Sequence, residues 1–143
     1  MTKNSICTIC FILMLIVFSK VSLAAINVQE GSCPQQREFL VEGNSTSLCW
    51  SEGLHAWISK QCMEKSQKAC GALAFSEAAK NKKTELDQND RRGGKNPGSV
   101  LCSKLGGRVM YATLSSGSQV TFCEAKDKTL IDCNALTNQF FSN

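Results

Sequence analysis

Cysteine is the residue through which this chain could do most of its chemistry. Nine cysteines and a single histidine, His55, stand in 143 residues. Cys7 and Cys10 have Cys-x-x-C spacing, the form of a redox pair or half of a zinc site. Both lie inside the apolar run Ile6 to Phe18. Lys3 precedes that run, and Ser22-Leu23-Ala24 follows it with small residues at the two positions a signal peptidase reads. This is the pattern of a secretory signal peptide. The run is shorter than the roughly 20 residues a membrane-spanning helix needs. Cleavage after Ala24 leaves 119 residues and removes both cysteines. No cysteine follows the cleavage site to accept a lipid.

Seven cysteines then remain: Cys33, Cys49, Cys62, Cys70, Cys102, Cys123 and Cys133. In an oxidising compartment they are disulfide candidates before they are metal ligands. No Cys-x-x-C pair survives and only His55 could share a metal, so neither a metal nor another cofactor is expected. Seven is odd, which leaves one thiol free, buried, or linking two chains as a dimer. Each bridge typically contributes about 2–4 kcal/mol.

Other reactive groups do not assemble into a catalytic set. His55 as a base would need a nucleophile and an orienting acid. Ser51 and Glu52 are near it in sequence but not suitably spaced on a helix. The chain has no Gly-x-Ser-x-Gly, no His-Glu-x-x-His and no phosphate-binding glycine loop. The expectation is a protein that is not an enzyme.

Two clusters point instead to binding. Lys80, Lys82, Lys83, Arg91, Arg92 and Lys95 are interleaved with Glu85, Asp87 and Asp90. They are candidates for contact with an anionic membrane surface, through attraction that salt screens readily. The formal net charge of +4 falls to +2 without Lys3 and Lys20. No aromatic residue stands from Asn81 to Lys95, so nucleic acid is not an expected partner. Trp50 and Trp57 are seven apart and would share one helical face. They are candidate aromatic anchors for a protein partner, set against the plainer reading of core packing.

The elements that must position these groups divide the chain into a signal peptide (1–24), a cysteine-containing and mainly helical region (25–79), a polar basic bridge (80–95) and a C-terminal unit (96–143). Residues 25–44 read as extended or loop-like. Asn44-Ser45-Thr46-Ser47 offers helix caps, and its sequon is read as a cap. Trp50, Leu54, Trp57, Ile58 and Cys62 then recur at three-to-four spacing. Gly71 suggests a break before a second helix over Ala72 to Ala79. The bridge shows no apolar periodicity. Asn96-Pro97 opens a short helix with Val100, Leu101 and Leu105 apolar, ended by Gly106-Gly107. Two strands follow, Arg108 to Leu114 and Gln119 to Glu124, joined by Ser115-Ser116-Gly117-Ser118. Thr129 to Asp132 is a third short strand, and Asn134 to Phe141 closes with a helical turn. No internal repeat stands out. The expected fold is α+β, stabilised by disulfides, with N-terminal helices beside a short helix and a small antiparallel sheet.

Asn96-Pro97-Gly98-Ser99-Val100-Leu101-Cys102, followed by Gly106-Gly107, resembles the opening of a small bacterial domain of unknown function labelled a haemolysin. The likeness covers about residues 95–141. Cys123 falls where the family has a second cysteine, and Cys133 falls near a third. Residues 134–141 lack the acidic-Trp-Ala segment usual in that family. The resemblance implies an exported envelope protein of a bacterium, and the label itself implies little mechanism. Together these readings predict a disulfide-stabilised binding protein of a Gram-negative bacterium, secreted or periplasmic after signal cleavage, acting in host or environmental interaction. Two alternatives stand beside it: an inhibitor of a secreted or host hydrolase, and a protein that binds anionic lipid.

Overall fold

The computed structural model describes residues 33–64, 70–90 and 92–142. Residues 1–24, read from the sequence as a signal peptide, and Arg91 therefore lie outside the described residues. Six antiparallel strands dominate: β1 (Gln36–Val41), β2 (Asn44–Ser51), β3 (Ala56–Ser59), β4 (Arg108–Thr113), β5 (Gln119–Glu124) and β6 (Leu130–Asp132). They close into a barrel in the order β1-β2-β3-β6-β5-β4. Three helices pack outside it: α1 (Gly71–Lys80), α2 (Pro97–Lys104) and α3 (Cys133–Phe141).

This corrects the expected fold. Residues 44–59 form a hairpin rather than a helix, and the C-terminal sheet is half of a barrel rather than a small separate sheet. The misreading has a physical cause. A spacing of seven places Trp50 and Trp57 on one face of a helix, but it also places them opposite one another across a short hairpin, where they are direct partners. Leu48 packs in the barrel core while Cys49, next to it, is also buried but lies opposite Ile58 of the outer core, so successive residues of β2 serve opposite faces as in a strand. The serines and threonine read as helix caps lie on β2. Glu42 and Gly43 join β1 to β2 with φ of 46° and 85°, the paired positive values of a tight hairpin turn.

The strand registers also show an internal repeat that the sequence does not display. Cys49 of β2 lies opposite Gln36 and Ile58. Cys123 of β5 lies opposite Val109 and Ile131. Matching the two cysteines makes Ile58 equivalent to Ile131 and Leu40 equivalent to Thr113. The seams that close the barrel pair Ile58 with Ile131 and Leu40 with Thr113. Each residue thus faces its own counterpart, as a two-fold axis through both seams requires. The barrel is two β-β-β units related by pseudo-symmetry.

Two apolar cores follow from strand alternation. Phe39, Val41, Leu48, Met110, Ala112, Phe122 and Leu130 fill the barrel. Outside it, Ile58, Cys123 and Ile131 meet Ala72 and Ala79 of α1, Leu101 of α2 and Leu136 of α3. The N-terminus of α1 is tied to the β5–β6 turn. Gly71 N–H donates to Asp127 Oδ2 at 2.8 Å, and Ala72 N–H donates to Thr129 Oγ1 at 2.9 Å. Asn96 caps α2, its Oδ1 accepting from the N–H of Gly98 at 2.8 Å. A Cβ at Gly98 would stand 1.7 Å from the carbonyl oxygen of Cys133, so only glycine lets α2 lie this close to α3. The segment between α1 and α2 is anchored: Leu86 is buried in the outer core, Lys104 Nζ donates to Glu85 O at 2.9 Å, and Lys104 pairs with Asp90.

Disulfides join Cys33 to Cys49, Cys62 to Cys70, and Cys102 to Cys123. Among the described residues Cys133 is the free cysteine, and it is fully buried. Each of these bridges lies within one half of the chain, and the two halves are joined by a continuous core.

Candidate functional site: an aromatic and cationic end of the barrel

At the end of the barrel where β2 turns into β3, four side chains gather that lie on three strands. Arg37 and Phe39 share a face of β1, because alternate residues point the same way. Trp50 and Trp57 face each other across β2 and β3, with ring centroids 5.4 Å apart in an edge-to-face arrangement. Phe39 meets Trp57 at 5.4 Å and Phe122 at 5.1 Å, both also edge-to-face. The Arg37 guanidinium lies 5.5 Å from the centre of the Trp57 ring. Phe39 and Phe122 are buried, the two tryptophans are half-buried, and Arg37 is exposed. The cluster therefore runs from the barrel core out to solvent. Each aromatic pair is worth about 0.5–1.5 kcal/mol beyond its burial, and an exposed cation over a ring about 0.5–1 kcal/mol.

The register extends the site. One step along β3 and β6 from the Ile58–Ile131 pair brings Asp132 level with Trp57. Burial pushes the Asp132 carboxyl above its ordinary range, and the backbone N–H of Asn134, donating to its Oδ1 at 2.8 Å, partly offsets this. Along β1 and β4, Leu114 comes level with Phe39, which sets the exposed β4–β5 loop, residues 115–118, at the same end. The arrangement offers an edge-to-face aromatic cluster, a cation and an exposed loop. No nucleophile with a base stands among them.

The remaining candidates are dispersed. Lys80 ends α1, Lys82 and Lys83 follow it, and all three are exposed. Arg92 is exposed further along, and Lys95 lines a groove beside α2. His55 is exposed at the β2–β3 turn with φ of 48°. Cys133 is sealed inside the outer core. Burial pushes its thiol up to about 11, even though the hydroxyls of Ser99 and Thr121 hydrogen-bond to it and work in the opposite direction. A thiol that holds its proton at neutral pH is a poor nucleophile, and a buried one cannot reach a second chain without opening the fold. Among the described residues, no three His, Cys, Asp or Glu side chains are placed to hold a metal ion. Among them, no helix is long and apolar enough to cross a membrane.

Two clefts lie on the outer surface. One, about 430 Å³, is mostly apolar and lies between Phe75 of α1, Leu105 and the turn at Ala125 to Asp127. The other, about 470 Å³, lies between α2 and the outer faces of β4 and β5 and includes Val100, Val109, Tyr111 and Thr121.

Sequence reasoning missed Arg37, Phe39, Asp132 and Tyr111. The alternation of Arg37, Phe39 and Val41 was a usable signal for a strand with one inward face. No family model, no curated protein and no solved structure matches this chain.

Proposed function

We propose that this protein is an exported, disulfide-stabilised binding protein without enzymatic activity, and that the Trp50–Trp57–Arg37 end of the barrel receives a protein partner. The observation that carries the reading is the Arg37 guanidinium over Trp57, which is itself edge to face with Trp50 in a half-buried pair. Tryptophan and arginine are enriched among the residues that dominate interface energetics: tryptophan buries a large area at the cost of two torsions, and the planar guanidinium of arginine stacks and donates several hydrogen bonds. A closed barrel cross-linked by three disulfides presents them in a fixed geometry, which lowers the ordering cost of association. Three disulfides suit an oxidising compartment. The apolar run at the N-terminus supports export, and the bacterial resemblance of residues 95–141 supports a periplasmic or secreted location.

The hydrolase-inhibitor reading is favoured by one further observation. The exposed β4–β5 loop stands at the same end as the tryptophans, so a single partner could contact both. Anionic-lipid binding has less support, because its lysines are spread over a helix end and a long loop.

Trp50 and Trp57 are the two tryptophans of the sequence, so their emission reports this surface. Titration against fractionated extracellular and periplasmic proteins, and against panels of proteases and glycan hydrolases, should produce a saturable blue shift with one partner. That shift should be lost in Arg37→Ala. Binding that leaves the emission unchanged would refute this surface as the site.

A further inference from the structure

We propose that the 470 Å³ groove between α2 and the outer face of β4–β5 is a binding site for a saccharide that carries a carboxylate. The site is separate from the barrel end, and the inference stands independently of the protein-binding reading. Its volume lies in the range of small-molecule pockets, about 300–1,000 Å³. Its lining is chemically mixed. Tyr111 stands on the outer face of β4 with 59% of its surface exposed, directly opposite Thr121 of β5. Such exposure of a large aromatic ring has no structural purpose in the barrel core. Its negative π face suits the C–H edges of a pyranose ring.

Around the ring stand groups that suit sugar hydroxyls. Ser99 and Thr121 hydrogen-bond to the Cys133 thiol and keep oxygen lone pairs to accept from a ligand, and the Asn96 amide, one N–H directed at Asn134 Oδ1 at 3.4 Å, keeps its second N–H. The Asn96 Oδ1 is already committed to the backbone of α2, which fixes the direction of its Nδ2. Val100, Val109 and the Tyr111 ring supply the apolar part of the lining, which suits the C–H faces of a sugar as the polar groups suit its hydroxyls.

Charge narrows the class further. The two charged side chains lining the groove are Asp90 and Lys95. Asp90 is engaged by Lys104 and by the backbone N–H of Asp87, so its charge is already balanced. Lys95 is the cation of that lining, and its ammonium would pair with the carboxylate of a uronic or other acidic sugar.

The pseudo-symmetry gives an internal control. The register makes Glu38 the counterpart of Tyr111 and Ser47 the counterpart of Thr121. The first unit thus carries a carboxylate where the second carries a ring. One site per chain is expected.

The test is NMR titration of the disulfide-intact, ¹⁵N-labelled protein with three probes: a galacturonate trimer, an N-acetylglucosamine tetramer and a glucose tetramer. The galacturonate trimer should shift amides of α2, β4 and β5 with a stoichiometry of one, and bind more tightly than either neutral probe. Tyr111→Ala should weaken it by about tenfold, the equivalent of about 1.4 kcal/mol, whereas Tyr111→Phe and Glu38→Ala should bind as wild type does. Lys95→Ala should remove the preference for the acidic probe. Three results would overturn the proposal: no shifts with any probe at about 10 mM, beyond the weakest useful affinity; affinity unchanged in Tyr111→Ala; or an acidic preference that survives Lys95→Ala. Amide spectra of each variant establish that its fold is intact.

Discussion

Trp50 and Trp57 are cross-strand partners whose rings meet edge to face, and the Arg37 guanidinium lies over the second of them. One relationship thereby links the barrel core, through Phe39, to the solvent surface. Structural and binding contributions should separate along that line. Arg37→Ala should cost under about 1 kcal/mol of stability, the size of an exposed cation–π contact. Trp57→Ala should cost about 3 kcal/mol, the low end for loss of a large aromatic. Urea denaturation of the two variants checks this. Equal losses would mean that Arg37 has a structural role the geometry does not show.

Asp132 supplies a sign-definite pH test. Its folded pKa is raised by burial, so the folded state holds a proton that the unfolded chain releases first. The stability this contributes is present below the ordinary carboxyl pKa and is lost as pH rises through the folded value. Asp132→Asn keeps a side-chain oxygen for the Asn134 N–H but removes the buried charge. It should match or exceed wild-type stability at pH 7 and lose any advantage at pH 3. Asp132→Ala should cost about 1 kcal/mol at pH 3 through loss of the cap, and less at pH 7, where it also removes the buried charge. Denaturation curves at the two pH values distinguish these outcomes.

Cys133 makes the opposite end of the pH scale informative. Its folded pKa of about 11 exceeds the ordinary 9.0. Above pH 9 the unfolded chain loses the thiol proton while the folded chain keeps it, so stability falls between pH 9 and 11. The loss is about 2–3 kcal/mol at 1.36 kcal/mol per unit. Cys133→Ala should show a flatter profile over that window. In the native protein at pH 8, iodoacetamide should leave Cys133 unmodified, and denaturant should expose one equivalent of thiol in the mature chain.

Disulfide deletions should rank by the loop each closes. Separations of 21, 16 and 8 residues belong to Cys102–Cys123, Cys33–Cys49 and Cys62–Cys70. Chain-entropy arguments give about 3.3 kcal/mol for the longest and about 2.5 kcal/mol for the shortest. Double Cys→Ser variants followed by calorimetry test the order. The Cys102–Cys123 pair should exceed its entropic value, since both sulfurs sit in the outer core beside Gly107, where an added Cβ would come within 2.9 Å of each.

How much of this was legible in the sequence differs between the two halves. In the C-terminal half, local signals agree with the final structure. Asn96-Pro97 caps and starts α2, the glycines at 106 and 107 end it, and Val120 and Phe122 alternate along β5. In the N-terminal half, the same local rules mislead. Trp50, Leu54, Trp57, Ile58 and Cys62 fit a helical period, and the caps before them fit too. Cross-strand pairing of β2 with β1 and β3 in two successive hairpins, which helical spacing does not reveal, makes Leu48 and Trp50 strand residues. The barrel closure is invisible because its seams join residues 73 apart. The two tryptophans were found by type and spacing. Arg37 and Asp132 were not, since each joins the site only through strand register.

The central claim is that the Trp50–Trp57–Arg37 end of the barrel receives a protein partner. Photo-cross-linking in the exporting cell tests it most directly, with a benzophenone amino acid placed at Arg37, at Ser116 or at the exposed Glu77 of α1. The account predicts one adduct of defined mass from position 37, a weaker one from position 116, and none from position 77. Adducts from position 77 alone, or from none of the three, would contradict it.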